Sequence, residues 1–420
     1  MLGLAAARAP RVSIPPSVLA DIHGSAWLSS WEVAGSVAVG SLVAAAFLLV
    51  FSRLRRRTRS GARRPARVGT VLRSGAAAVL VLLASAAIAN AYVGYVPNLA
   101  AGGRLLTSSP TASTAPHVPA GQAAARSSSA GPASSTGPAS PAVASPVPAS
   151  PTSPASTTGA VSTITLPADA AATVPASTAW VYTPPGYDAK AGPRYPVVYL
   201  VHGYPGTSAD WFAGGQADHV MDVLLASHLV RPMILVSIDV NGGGIRDTEC
   251  LDAVHGPKIE SWIYGTVLPY MDSAYRTIPG RHGRMLGGMS SGGFCALDQG
   301  LRHQDVWGGV LAFEPYGDPG RGGRVAFEGN QAAFRAHSPT AYLPSTTFSH
   351  PMPVYLDVGS ENGVNRVRRL AQDLQARDHP VQFRINPGQG HNWTEVQVGV
   401  PYALVFASNN LPAVQHSTPS

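Results

Sequence analysis

The chain has 420 residues, 45% of them apolar and only 13% charged, and a formal net charge of +7. The charge is lopsided: residues 1–160 hold 13 arginines and 2 acids, whereas residues 161–420 hold 17 basic and 21 acidic side chains. A basic surplus confined to one end excludes a nucleic-acid-binding face on the rest, and 2 cysteines are too few for a disulfide-rich scaffold.

In chain order, residues 1–30 form a short N-terminal segment, and residues 31–100 hold two uncharged apolar stretches, Val33 to Phe51 and Ser74 to Leu99. Each is long enough to cross about 30 Å of hydrocarbon. Trp27 and Trp31 precede the first, and Tyr92 and Tyr95 close the second, as suits membrane interfaces. The Arg-rich loop 53–73 between them marks the cytoplasmic side, so the N-terminus and everything after the second span are expected outside. In a competing reading, Ala76 to Ile88 followed by Ala89-Asn90-Ala91 is a signal peptide with its cleavage site. Residues 101–160 are Ala/Ser/Pro-rich, cannot bury a core, and read as an extended disordered linker holding the C-terminal region away from the membrane.

Residues 161–412 alternate strand-like and helix-like stretches, with 413–420 as a tail. Stretches 161–166 and 179–182 read as an antiparallel opening. The later strands are 196–201, 233–239, 284–289, 308–313, 353–358 and 381–385, with helices at 217–229, 259–275 and 364–378. This predicts an α/β fold, a mostly parallel sheet covered by helices on both faces. Cys250 and Cys295 both lie in this region, and an oxidising exterior favours a disulfide that pins a long loop beside the helix after residue 290.

The chemistry concentrates at three points. Gly288-Met-Ser290-Ser291-Gly292 is a Gly-x-Ser-x-Gly turn after a strand, the pattern that exposes a nucleophilic serine on a strained elbow. His202-Gly203-Tyr204 follows the strand 196–201, where one oxyanion N–H is expected from Gly203 or Tyr204 and the other from Ser291. His391, in Gly390-His391-Asn392-Trp393, is the expected general base, because serine needs an imidazole to take its proton. The acid is expected after the next-to-last strand, at Glu361, with Asp357 inside that strand as the alternative. The order Ser290, Glu361, His391 fits Ser…Asp/Glu…His.

Val181 to Tyr187, Tyr195 to Gly206, Trp262 to Ile278, Gly288 to Gly293 and Gly390 to Trp393 together resemble the esterase D-like family of α/β-hydrolases, over roughly residues 161–410. That family includes S-formylglutathione hydrolases, feruloyl esterases and mycolyltransferases. The resemblance implies the α/β-hydrolase fold, with Ser290 as nucleophile, Glu361 as acid and His391 as base. Many relatives carry Asp at the acid turn, although the mycolyltransferases use Glu.

His202, Trp211, Asn241, Trp262 and Trp393 are candidates for the substrate pocket, with shaping of the oxyanion turn as the alternative for His202 and ordinary packing for Trp211 and Trp262. No metal motif and no dinucleotide fingerprint occurs, so no metal or cofactor is expected. The expected function is a membrane-anchored, extracytoplasmic serine esterase or acyltransferase. Its substrate would be a small-molecule, lipid or glycan ester, with no nucleic-acid partner. A catalytically silent fold that binds glycan or a protein, and a serine peptidase, are the alternatives.

Overall fold

The computed structural model describes residues 13–24, 27–57, 66–107, 111–112 and 157–416. The middle of the Arg-rich loop and most of the Ala/Ser/Pro-rich segment, on which two of the expectations above rest, lie outside the described residues.

The strands are β1 (Thr111–Ala112), β2 (Ala160–Leu166), β3 (Ser177–Thr183), β4 (Val197–Val201), β5 (Ile234–Ile238), β6 (Arg284–Met289), β7 (Val310–Phe313), β8 (Val354–Gly359) and β9 (Val381–Asn386). They form one sheet in the order β1-β2-β3-β5-β4-β6-β7-β8-β9. β2 and β3 run antiparallel to each other, β3 runs antiparallel to β5, and from β5 to β9 every pairing is parallel. The two-residue β1 pairs with Ser162 and Thr163, so the chain within the first part of the Ala/Ser/Pro-rich segment touches the sheet edge.

The helices are α1 (Pro16–His23), α2 (Trp31–Arg57), α3 (Ala66–Val93), α4 (Leu99–Thr107), α5 (Asp210–Ala213), α6 (Ala217–Ala226), α7 (Ile259–Trp262), α8 (Leu268–Ala274), α9 (Ser291–Arg302), α10 (Gly320–Ala326), α11 (Gln331–Ala336), α12 (Pro339–Tyr342), α13 (Val364–Gln375) and α14 (Trp393–Asn410). A π-helical turn, Ile263–Val267, joins α7 to α8. Pro269, without an N–H, cannot continue an ordinary α-helical ladder there.

Strand residues alternate between two cores. Val197, Tyr199 and Val201 of β4 pack with α9 and α13 on one face, and Val198 and Leu200 pack with α6 and α14 on the other. Burial on both faces explains why these strands read as continuous apolar runs. Cys250 and Cys295 are disulfide-bonded, with Cα atoms 5.6 Å apart, as the sequence predicts.

Ahead of this domain, α2 and α3 pack on each other as a hairpin. Trp31–Phe51 and Val71–Val93 are long and apolar enough to cross a membrane, and large side chains such as Phe47 and Leu82 are exposed. One expectation is corrected: the start of the predicted linker is helical. The helix α4 runs to Thr107, its Arg104 donates to Gln216, and Gln397 donates to Gly94 O just ahead of it.

Candidate active site

The sheet order places β4 between β5 and β6, so the chain crosses over β4 on its way from β5 to β6. The crevice at the carboxyl ends of β4 and β6 is therefore the switch point where ligands bind in open α/β sheets. Val201 pairs with Gly288, so His202-Gly203 and Met289-Ser290 emerge side by side.

Ser290 is the turn between β6 and α9. Its φ of 59° is left-handed, a conformation that costs a non-glycine residue about 1–3 kcal/mol. Packing enforces it: Ser290 N donates to Phe313 O at 3.0 Å, and Phe294 N donates to Ser290 O at 2.9 Å. Gly292 cannot be replaced without moving backbone, because a Cβ there would sit 2.2 Å from Val201 O.

His391 sits in the loop between β9 and α14. Asn392 caps α14, its side chain accepting from Glu395 N at 3.2 Å. His391 Nε2 lies 2.8 Å from Ser290 Oγ. The other ring nitrogen, Nδ1, faces Glu314 Oε2 at 3.4 Å and Asn362 Nδ2 at 2.9 Å. An amide nitrogen cannot accept a proton, so when Nδ1 carries one the carboxylate of Glu314 is the group that takes its hydrogen bond.

Here the structure corrects the sequence reading. The carboxylate facing His391 is Glu314, at the end of β7, not Glu361. The Glu361 side chain is exposed, and its residue is tied to the histidine loop through its backbone N, which donates to Gln389 O at 3.0 Å. Glu314 is fully buried. Its carboxylate accepts from Gly359 N at 2.7 Å and from Asn362 Nδ2 at 2.6 Å. The turn expected to supply the acid supplies instead the donors that hold it. The alternative acid, Asp357, lies deeper in β8, where Tyr355 and Asn386 donate to it. Burial, then the charge of Glu314, pushes Asp357 up, and burial, then the charge of Asp357, pushes Glu395 well above the ordinary carboxyl range.

Gly203 adjoins the nucleophile: a Cβ there would lie 3.2 Å from that of Ser290. Gly203, Tyr204 and Ser291 line one narrow cavity with Asn241 and Glu249, about 10 Å³ in volume, room for about one water. His202 shapes this turn; its Nε2 accepts from Val240 N at 3.2 Å and its Nδ1 lies 2.8 Å from Gly203 O. Asn241 borders the cavity and donates to Gly206 O at 2.8 Å.

The tryptophans are core, not pocket. Trp211 and Trp262 are 1% and 0% exposed, and Trp211 Nε1 donates to Val201 O at 2.9 Å. Trp393 is buried too, edge-on to Trp211. A groove of about 440 Å³ starts at Tyr204, beside the nucleophile turn, and runs past Ile245, Arg246, Leu251, Arg321 and Val325. None of its residues beyond Tyr204 was expected from sequence.

The fold and the serine elbow define an α/β-hydrolase. The chain belongs to the Esterase family, whose model matches residues 174–400. An uncharacterized protein of Corynebacterium glutamicum is 29% identical over 173 residues, 40% of either chain. An endo-1,4-beta-xylanase/feruloyl esterase of Xylanibacter ruminicola is 29% identical over 149 residues, 33% of this chain and 20% of that one. The chain thus spans less than half the length of these curated relatives. Among solved structures, a ferulic acid esterase superposes with a TM-score of 0.52 at 25% identity, covering 60% of this chain and 99% of that one. An S-formylglutathione hydrolase from Agrobacterium tumefaciens gives 0.51 at 17% identity, covering 61% and 97%, a likeness of fold.

Proposed function

We propose that this protein is a membrane-anchored serine esterase or acyltransferase that works through an acyl-enzyme on Ser290. The observation that carries this reading is the 2.8 Å approach of His391 Nε2 to Ser290 Oγ on a left-handed elbow. His391 takes the hydroxyl proton as Oγ attacks the ester carbonyl. Glu314, in place of the expected Glu361, orients the ring and stabilises the imidazolium, and Asn362 and Gly359 hold Glu314 in position. The N–H groups of Ser291 and of Gly203 or Tyr204 meet the oxyanion, at the positive end of α9. His391 then returns the proton to the departing alcohol, and water or a second alcohol, such as a sugar hydroxyl, releases the acyl group. The feruloyl-esterase relatives support a carboxylic ester as substrate.

The exposed apolar hairpin supports anchoring through two spans. Asn90 supports an uncut second span: it donates to Leu28 O and Val96 O and accepts from Val96 N, bridging the cleavage point of the competing reading.

Pre-steady-state hydrolysis of a 4-nitrophenyl ester tests the reading. A nitrophenol burst of about one equivalent, absent from Ser290→Ala, is expected. Equal turnover by Ser290→Ala would overturn it.

A further inference from the structure

The chain on either side of the apolar hairpin does not trail away from the catalytic domain; it is built into it. Ile14, just before α1, and Ile22, within it, are buried among side chains of α6 and α14. His23 Nε2 lies 3.0 Å from Gln397 O, and Asn98 Nδ2 donates to His23 O at 3.1 Å, tying the two flanks together. Gln397 Nε2 donates to Gly94 O at 2.9 Å and to Gly214 O at 2.6 Å. Arg104 donates to Gln216. Gly94 is the first residue after α3, and the approach is so close that a Cβ on it would lie 2.4 Å from Thr394 Oγ1. Tyr95 packs edge-on against Trp393, 5.9 Å between centroids. Thr394 and Trp393 begin the helix that follows His391. No slack separates the end of the second span from the loop that carries the base.

The groove adds an independent observation. Beyond residue 100, the exposed large hydrophobic side chains among the described residues are Tyr204, Ile245, Val254 and Val325. Three of the four line the groove beside the oxyanion turn, together with Arg246 and Arg321. Ile245 is 81% exposed and Val325 70%. An apolar rim set with arginines suits the boundary of an anionic bilayer.

We propose that α1 and residues 94–104 clamp the catalytic domain onto the bilayer, so that it acts on amphiphilic esters resident in the same membrane. The inference rests on the serine-hydrolase reading above. A domain on a free tether reaches any substrate within its span, on its own membrane or a neighbouring one. A clamped domain has a fixed height and serves only the bilayer that holds it.

The test uses the full chain in phosphatidylcholine/phosphatidylglycerol vesicles with a non-exchanging two-chain fluorogenic lipid ester. The ester is placed in the same vesicles or in separate ones, and rates are normalised to a soluble butyrate ester. The expected same-vesicle rate is at least about tenfold the separate-vesicle rate. Flexible Gly/Ser insertions of about 15 residues after Gly24 and after Val93 add about 20 Å of reach each while keeping the contacts of α1 and residues 94–104 with the catalytic domain. They should bring the two rates to within about threefold. Equal rates for wild type would overturn the clamp, whatever the insertion variant does. Turnover of the butyrate ester with none of the lipid ester in either arrangement would overturn the membrane-resident substrate. Failure on every ester, with no fluorophosphonate adduct on Ser290, would instead remove the hydrolase reading on which the inference stands.

Discussion

Replacing Glu314 by Gln separates the two candidate acids. The carboxylate lies 3.4 Å from His391 Nδ1 and is fully buried, whereas the His391 side chain is 40% exposed. The imidazolium formed during attack would lose an attraction of about 5 kcal/mol at an effective dielectric of about 20, and about 1 kcal/mol at that of water. A half-open ring beside a buried carboxylate falls between these limits, so kcat should drop by about 10²–10³-fold. Gln also offers an N–H where the ring needs an acceptor, which favours the wrong tautomer. The assay is steady-state hydrolysis of 4-nitrophenyl butyrate with circular dichroism as a fold check. Glu361→Gln, altering an exposed side chain, should stay within about twofold of wild type. A larger loss in Glu361→Gln than in Glu314→Gln would refute the assignment.

The site and its supports yield three further outcomes. The Cys250–Cys295 bond closes a 45-residue separation, worth about 4 kcal/mol in the chain-entropy model, so Cys250→Ser/Cys295→Ser should melt about 8–16 °C lower; a shift under about 2 °C would contradict this. Burial, then the neighbouring Asp247, pushes Glu249 from 4.5 up to about 9. The folded state holds that proton more tightly, so the group's contribution to stability is complete below about pH 4.5 and is lost as pH rises towards 9. Thermal scans should therefore show Glu249→Gln gaining on wild type between pH 5 and pH 8, and a pH-independent difference would count against it. Ser290→Gly should be more stable than Ser290→Ala by about 1 kcal/mol, because glycine relieves the left-handed strain at φ 59°, less its own entropic cost. Equal midpoints in urea would show the elbow to be unstrained.

The sequence exposed what depends on local chain geometry. The glycines around Ser290 mark an elbow because neighbouring backbone leaves no room for side chains, and Tyr195 to Val201 reads as a buried strand because both its faces are covered. Glu314 was harder to see, since it follows β7 directly, precedes Pro315 and adopts φ 50° without the glycine that usually flags such a turn. A lone acid ending the apolar run Val310–Phe313 was the signal available. Chain order fits Glu361, but order does not say which of two adjacent parallel strands turns its carboxylate towards the histidine. Trp211, Trp262 and Trp393 illustrate the same limit, for an aromatic side chain serves a core or a pocket equally well until its neighbours are known. The docking of α1 and residues 94–104 depends on contacts across some 300 positions, such as Gly94 with Gln397, and no local pattern carries those.

An activated Ser290 is the central claim, and intact-mass analysis after incubation with a fluorophosphonate tests it most directly. One adduct per chain is predicted on wild type and none on Ser290→Ala. Folded wild-type protein that takes no adduct, or an adduct that persists in Ser290→Ala, would contradict it.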